Sequence, residues 1–296
     1  LIFGTPGNLG GNAFTIPSGT FINSTFTNLT INRTNQLQWD ITGTGVFLSG
    51  TLTLTLGTFN IGAGLSLSGA ALVRTAGYLD GITTSDLNVN GITGGTVLLP
   101  LVANIPLRNV TISGTRVVQM SGSAANNISL YGTFNLNSGV FDNGGESQIL
   151  NGGGSPSISI NGKFITRDAQ GFVGTGSAIP GGEAAPMIPN LNPGTYGTVE
   201  YGLNGTAGNQ IVQGSTAPTY YYIIISGGGT KTLASTNPIG TVSSSITITD
   251  SATFDVGNKQ FGTNLTTLTM TGTSKLITWG TSGTGIKPDA QSTYSL

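Results

Sequence analysis

The sequence predicts an all-β chain wound as a right-handed parallel β-helix, a β-solenoid. Three observations predict it. Apolar and polar residues alternate in many short runs, two short phrases recur along the chain, and Gly, Asn, Asp or Ser closes most of the runs. Tandem antiparallel β-sandwich domains are the alternative, because they also use short strands spaced roughly 8–12 residues apart.

The alternation is carried by Leu52, Leu54 and Leu56 in TLTLTLG, Leu65 and Leu67 in GLSLSG, Ile158 and Ile160 in SISING, and Ile246 and Ile248 in SITITD. A period of two sends one set of side chains inward and the other outward. Threonine suits the outward set because it is β-branched and polar. Helical periodicity is nearly absent.

The first recurring phrase is GTFIN at 19–23, GTFNI at 57–61, GTFNL at 132–136 and ATFDV at 252–256. Its starts lie 38, 75 and 120 residues apart (57 − 19, 132 − 57, 252 − 132), near multiples of a short solenoid repeat. The second is NLTINR at 28–33, NVTISG at 109–114, YIIISG at 222–227 and TLTMTG at 267–272, with Arg33, Arg116, Lys231 or Lys275 inside or just after it. A unit this short cannot bury its own apolar side, whereas stacked units cover one another.

Residues 1–167 read as a first solenoid part and 198–296 as a second. Between them, 168–197 holds Gly and Pro with little alternation, as an insertion or joint does. The apolar stretch LLPLVANIPL at 98–107 reads as an end or side covering. The chain starts at Leu1 without a basic n-region or apolar h-region, as a mature or excerpted chain does. No amphipathic helix caps either terminus, which suggests a longer parent chain or a filament.

Composition narrows the chemistry. Charged residues make up 7% of the chain and the net charge is −1, so nucleic acid and anionic membranes lack the clustered Lys and Arg they require. No stretch of about 18 apolar residues exists, so no membrane insertion as a helix is expected. Without Cys or His there is no disulfide, thiolate site, His-metal site or imidazole catalysis. No cofactor and no metal are expected.

TYYYIIISGGG at 219–229 joins three tyrosines to three isoleucines. If Ile223 and Ile225 point inward with Tyr221, then Tyr220, Tyr222 and Ile224 point outward. That stripe is either roofed by 168–197 or left as a contact surface. Roofing is the reading preferred, since a bare run of this kind invites aggregation.

Residues 197–235, GTVEYGLNGTAGNQIVQGSTAPTYYYIIISGGGTKTLAS, resemble a repeat phrase of large secreted and cell-surface proteins of Bacteroidota-type bacteria. Gly197, Thr198, Val199, Tyr201, Gln210, Val212, Tyr220, Tyr221, Ile223, Ile225, Ser226, Gly227, Gly229 and the run Thr230–Leu233 fit the pattern. Tyr222 and Ile224 depart from it, standing where a polar pair is usual. The resemblance implies a β-helical, adhesin-like cargo of type IX secretion at the cell surface, with no catalytic residues. DSA at 250–252 is similar to the O-glycan acceptor of that class, with Ser251 as its acceptor.

The remaining candidates each have a plain reading. DLNVNG at 86–91 has Asp86, Asn88, Asn90 and Gly91 at calcium-loop offsets, but Val97 occupies the position of the bidentate Glu, and a polar-alternating strand explains the run. DNGGE at 142–146 could be an oxygen-rich site or an Asn-Gly turn. Seven Asn-x-Ser/Thr triplets, at Asn23, Asn28, Asn32, Asn109, Asn127, Asn204 and Asn264, follow from Asn- and Thr-rich composition. Trp39 and Trp279 are candidates for sugar stacking or for core packing. The eleven acids are scattered, so no enzyme is expected.

The expected function is structural and adhesive: a stiff extracellular solenoid of a bacterial surface adhesin or filament. It would contact a surface, a glycan or another copy of itself through Tyr220, Tyr222 and Ile224. A β-helix that binds or cleaves polysaccharide, and a binder of ice or crystal surfaces through Thr ladders, are the alternatives.

Overall fold

The computed structural model describes residues 1–3, 14–15, 25–39, 45–68, 71–90, 95–122, 126–172, 177–179, 197–204, 208–213, 220–234, 242–257, 265–277 and 293–295. Trp279, GTFIN at 19–23 and most of 168–197 lie outside them. The described residues contain strands and turns but no helix, and every strand pairing among them is parallel. The chain is a parallel β-solenoid. Antiparallel sandwiches are excluded, because every described pairing is parallel and joins equivalent strands of successive coils.

The chain forms two compact units, one of residues 1–141 with 149–156 and the other of 142–148 with 157–296. In the first unit most coils contribute three short strands, one to each face. Ile2–Phe3, Leu29–Asn32, Thr51–Leu56 and Ala71–Arg74 form one sheet. Phe14–Thr15, Leu37–Gln38, Thr58–Asn60 and Tyr78–Asp80 form a second. The longest ladder in this unit runs Thr25–Phe26, Val46–Leu48, Gly64–Leu67, Asp86–Val89, Asn109–Ile112 and Thr133–Leu136.

Inward positions of successive coils coincide. Val46, Leu65, Leu87, Val110 and Phe134 make one buried row, and Leu48, Leu67, Val89, Ile112 and Leu136 the next. Each apolar side chain sits on its counterpart about 4.8 Å away, which removes it from water without any helix to cover the sheet.

In the second unit the main ladder runs Lys163–Thr166, Thr198–Tyr201, Tyr220–Ile225, Val242–Ile248, Thr267–Met270 and Thr293–Ser295. A second ladder runs Gln210–Val212, Thr230–Leu233, Thr253–Asp255 and Lys275–Ile277. Phe164, Val199, Ile223, Ile246 and Leu268 form its central buried row.

Coil length varies: Val46 aligns with Leu65 and Leu52 with Leu72, offsets of 19 and 20 residues (65 − 46, 72 − 52) that match the phrase spacing, while other coils are longer. Leu29 aligns with Leu52, Leu65 with Leu87 and Val199 with Ile223, offsets of 23, 22 and 24 residues (52 − 29, 87 − 65, 223 − 199). From Phe164 to Val199 the offset is 35 (199 − 164), so the 168–197 segment is an enlarged coil. Its described part is anchored: Phe172 is buried with its ring 5.5 Å from Phe164 and 5.7 Å from Tyr201. The stretch at 98–107 is not a covering. It supplies strand Thr96–Leu99, bridging Leu101 and strand Ile105–Leu107, with Leu99, Leu101, Ile105 and Leu107 all in the core. Pro106 is tolerated because Ile105–Leu107 is the terminal strand of its sheet.

A corner device recurs. Asn28 Oδ1 accepts the backbone N–H of Thr51 at 2.8 Å, Asn109 Oδ1 that of Thr133 at 2.9 Å, and Asn209 Oδ1 that of Thr230 at 3.0 Å. The residue before each Thr is Gly. A Cβ on Gly132 would lie 2.5 Å from Asn109 Oδ1, and one on Gly50 would lie 2.4 Å from the Thr27 carbonyl oxygen. Each of these three Gly-Thr pairs is therefore the seat of an Asn side chain from the preceding coil.

Candidate functional site

The Tyr220–Ile225 strand carries most of the predicted site, and one irregularity changes its reading. Tyr220 aligns with Val242, but Tyr222 aligns with Ser245, so a bulge interrupts the ladder between them. The extra residue lies in the Val242–Ile248 strand (three steps from 242 to 245 against two from 220 to 222), and the inward–outward alternation of Tyr220–Ile225 slips at the same place. Tyr220 therefore turns inward and is fully buried, while Tyr221 is half-exposed. The expected outward position of Tyr220 and inward position of Tyr221 are both reversed, and Tyr220 offers no ring to a ligand.

The buried tyrosine is held in a closed circuit. Gln213 N–H donates to the Tyr201 hydroxyl at 3.0 Å, Tyr201 donates to the Tyr220 hydroxyl at 2.8 Å, and Tyr220 donates to the Gln213 carbonyl at 3.2 Å. Each hydroxyl donates once and accepts once. Burial drives both phenols well above their ordinary value.

Tyr222 and Ile224 do face outward and are half-exposed. The register sets them in two parallel rows. One runs Lys163, Thr198, Tyr222, Ser245 and Thr267, and the other Ile165, Glu200, Ile224, Thr247 and Thr269. Tyr221 and Tyr222 meet edge to face with centroids 4.6 Å apart. Lys163 Nζ bonds Glu200 at 2.7 Å, and Ser226 Oγ donates to the same carboxylate at 2.6 Å. The strip is thus an aromatic and aliphatic pair bordered by hydroxyls and one internally paired charge.

Trp39 is buried, with Phe3, Phe26 and Phe59 edge-on around it at centroid distances of 6.3, 5.8 and 6.4 Å. It is core packing and presents no face for sugar stacking. Ser251 is exposed on a left-handed turn (φ 61°), and its Oγ accepts from Thr273 Oγ1 at 2.6 Å. Among the sequons, Asn28 and Asn109 are engaged by the corner device, and Asn127 is buried with its amide on Asn104 Oδ1 at 3.0 Å.

Several acids are neutralised in place. Arg108 grips Asp86 through both carboxylate oxygens at 2.9 and 2.6 Å, with Asn109 Nδ2 on the same group. Arg167 Nε bonds Asp142 at 2.8 Å. In DNGGE, Asn143 is bonded on all sides, its Nδ2 to Gly145 and Ser147 carbonyls and its Oδ1 to Arg167 N–H, which is the turn reading. Asp168 is pushed up to about 6 by burial, partly offset by the Gln170 N–H and reinforced by Glu146. Among the described residues no group of three or more acids could hold a metal ion.

The basic residues tied to the second phrase are not all surface decoration. Arg33, Arg116 and Lys231 are buried, whereas Lys275 is exposed. Lys231 Nζ donates to the carbonyls of Leu203 at 2.7 Å and Gly208 at 2.5 Å, holding the two together. Burial lowers its ammonium to about 8.

Phe47 was passed over in the sequence, although Val46 and Leu48 on either side fix its outward direction by parity. It is 47% exposed. Comparisons with protein-family models, with curated proteins and with solved structures found no match.

Proposed function

We propose that this chain is an extracellular structural and adhesive protein, a stiff β-solenoid segment of a bacterial surface adhesin or filament. In this reading it catalyses nothing, and the Tyr222–Ile224 strip makes contact with a surface, a glycan or another copy. The observation that carries the proposal is the pair of outward rows around Tyr222 and Ile224, held in register by backbone ladders. Side chains fixed on such a ladder lose little freedom on contact, so a repetitive ligand meets a preordered surface. The resemblance of residues 197–235 to cell-surface repeats supports the bacterial exterior.

The test replaces Tyr222 and Ile224 with Ser together. Circular dichroism confirms the retained β-fold, and attachment to polysaccharide-coated and cell surfaces is measured. Loss of attachment is expected, and unchanged attachment overturns this site.

A second reading has its own observation. Thr271 Oγ1 bonds Thr249 Oγ1 at 2.9 Å across coils, beside the Thr273–Ser251 pair and the aligned Thr247 and Thr269. Such hydroxyl rows suit an ice or crystal surface. Thermal hysteresis of the cooled solution measures it, and its absence removes the reading.

A further inference from the structure

We infer that the outward face of the longest ladder in the first unit carries a binding subsite for a neutral sugar residue, made by Phe47, Ser66 and Asn88. This supplies a ligand class to the adhesive reading, at residues separate from the Tyr222–Ile224 strip.

The register creates the site. Phe47 aligns with Ser66, and Ser66 with Asn88, so an aromatic ring, a hydroxyl and a carboxamide stand in one outward row on three adjacent coils. Neighbouring rungs are about 4.8 Å apart, so the row spans about 10 Å, the reach of one to two sugar rings. These residues line a depression of about 120 Å³ whose floor includes Gly45 and Gly64. The floor has no room for side chains: a Cβ on Gly45 would lie 2.6 Å from the Gly64 carbonyl oxygen, and one on Gly64 2.7 Å from that of Asp86.

The chemistry selects the ligand. The Phe47 ring is 47% exposed and stacks on no aromatic partner among the described residues. Ser66 is only 8% exposed, at the base of the depression, and Asn88 is half-buried at its far side. Neither side chain hydrogen-bonds a described residue, so both are open to a ligand that donates and accepts. A pyranose supplies both halves of the complement, a C–H face for the ring and hydroxyls that donate and accept. Asp86 lines the depression too, but Arg108 holds both its oxygens, so the site has no net charge to recruit an ionic ligand.

The test titrates isotope-labelled protein with cellohexaose, mannohexaose and xylohexaose, following the Phe47 ring and the Asn88 amide by nuclear magnetic resonance. At least one oligosaccharide should shift both sets of signals. Phe47→Ala and Asn88→Ala should each weaken that binding about tenfold or more, while Phe47→Tyr retains it. Thr111→Ala, in the same row but outside the depression, should leave it unchanged. Shifts from none of the three sugars, or undiminished binding by Phe47→Ala, overturn the site. Because Tyr222 and Ile224 remain wild type throughout, failure here is distinct from failure of the adhesive strip.

Discussion

The hydroxyl of Tyr201 lies 2.8 Å from that of Tyr220, and both rings are fully buried on adjacent rungs of one ladder. The pair closes on the Gln213 backbone, so removing one hydroxyl strands groups that cannot reach water. Tyr220→Phe should destabilise the fold by about 1–3 kcal/mol, measured by urea denaturation. The Tyr201→Phe/Tyr220→Phe double variant should lose less than the sum of the singles, since the two share one circuit.

Gln213 is fully buried, and its side-chain Nε2 and Oε1 have no hydrogen-bond partner among the described residues. A buried amide in that state costs about 1–3 kcal/mol. Gln213→Met keeps the volume and the backbone bonds to the tyrosines, so the urea midpoint should rise. A lower midpoint would show that the amide is satisfied.

Asp168 gives the fold a pH dependence whose sign follows from its raised value. Its folded pKa is about 6 against an ordinary 3.8, so between these values the folded state holds the proton more firmly than the unfolded state. Its contribution is full below about 3.8 and is lost as pH rises through 6. Asp168→Asn should flatten the decline in stability between pH 4 and 6 by about 1–2 kcal/mol relative to wild type, in paired denaturation curves.

Lys231 runs the opposite way. Its folded pKa of about 8 lies below the ordinary 10.5, so stability should rise as pH passes from 8 towards 10.5. Lys231→Ala should abolish that rise. At neutral pH it should cost about 2–4 kcal/mol, because the stem leaves a cavity and the Leu203 and Gly208 carbonyls lose their donor.

The corner device predicts unequal effects at one junction. Asn109→Ala removes one cap and should cost about 1 kcal/mol. Gly132→Ala forces a Cβ against Asn109 Oδ1 and the Arg108 carbonyl at 2.5 and 2.7 Å, and should cost more. Thermal denaturation of the two variants checks the order.

The fold class and most inward residues were determined by the sequence alone. Leu52, Leu54, Leu65, Leu67, Ile158, Ile160, Ile246 and Ile248 are buried as their alternation predicts, because strand parity is local; Leu56 is not, being 39% exposed where the register with Leu29–Asn32 shifts after Leu54. The outward directions of Tyr222 and Ile224 were legible for the same reason.

Three features were decided only by the tertiary structure. The bulge at Tyr220–Tyr222 reversed the directions of Tyr220 and Tyr221, and nothing in three consecutive tyrosines marks where the alternation slips. The recurring phrases do not mark one corner of the coil. GTFNI at 57–61 supplies the strand Thr58–Asn60 of one sheet, whereas GTFNL at 132–136 supplies Thr133–Leu136 of another. They record a local strand-and-turn grammar, while the registers that place Phe47 beside Ser66 and Ser66 beside Asn88, offsets of 19 and 22 residues (66 − 47, 88 − 66), arise between coils. Parity needs only neighbours along the chain, but register needs the summed packing of every stacked row, and no short stretch of sequence contains that.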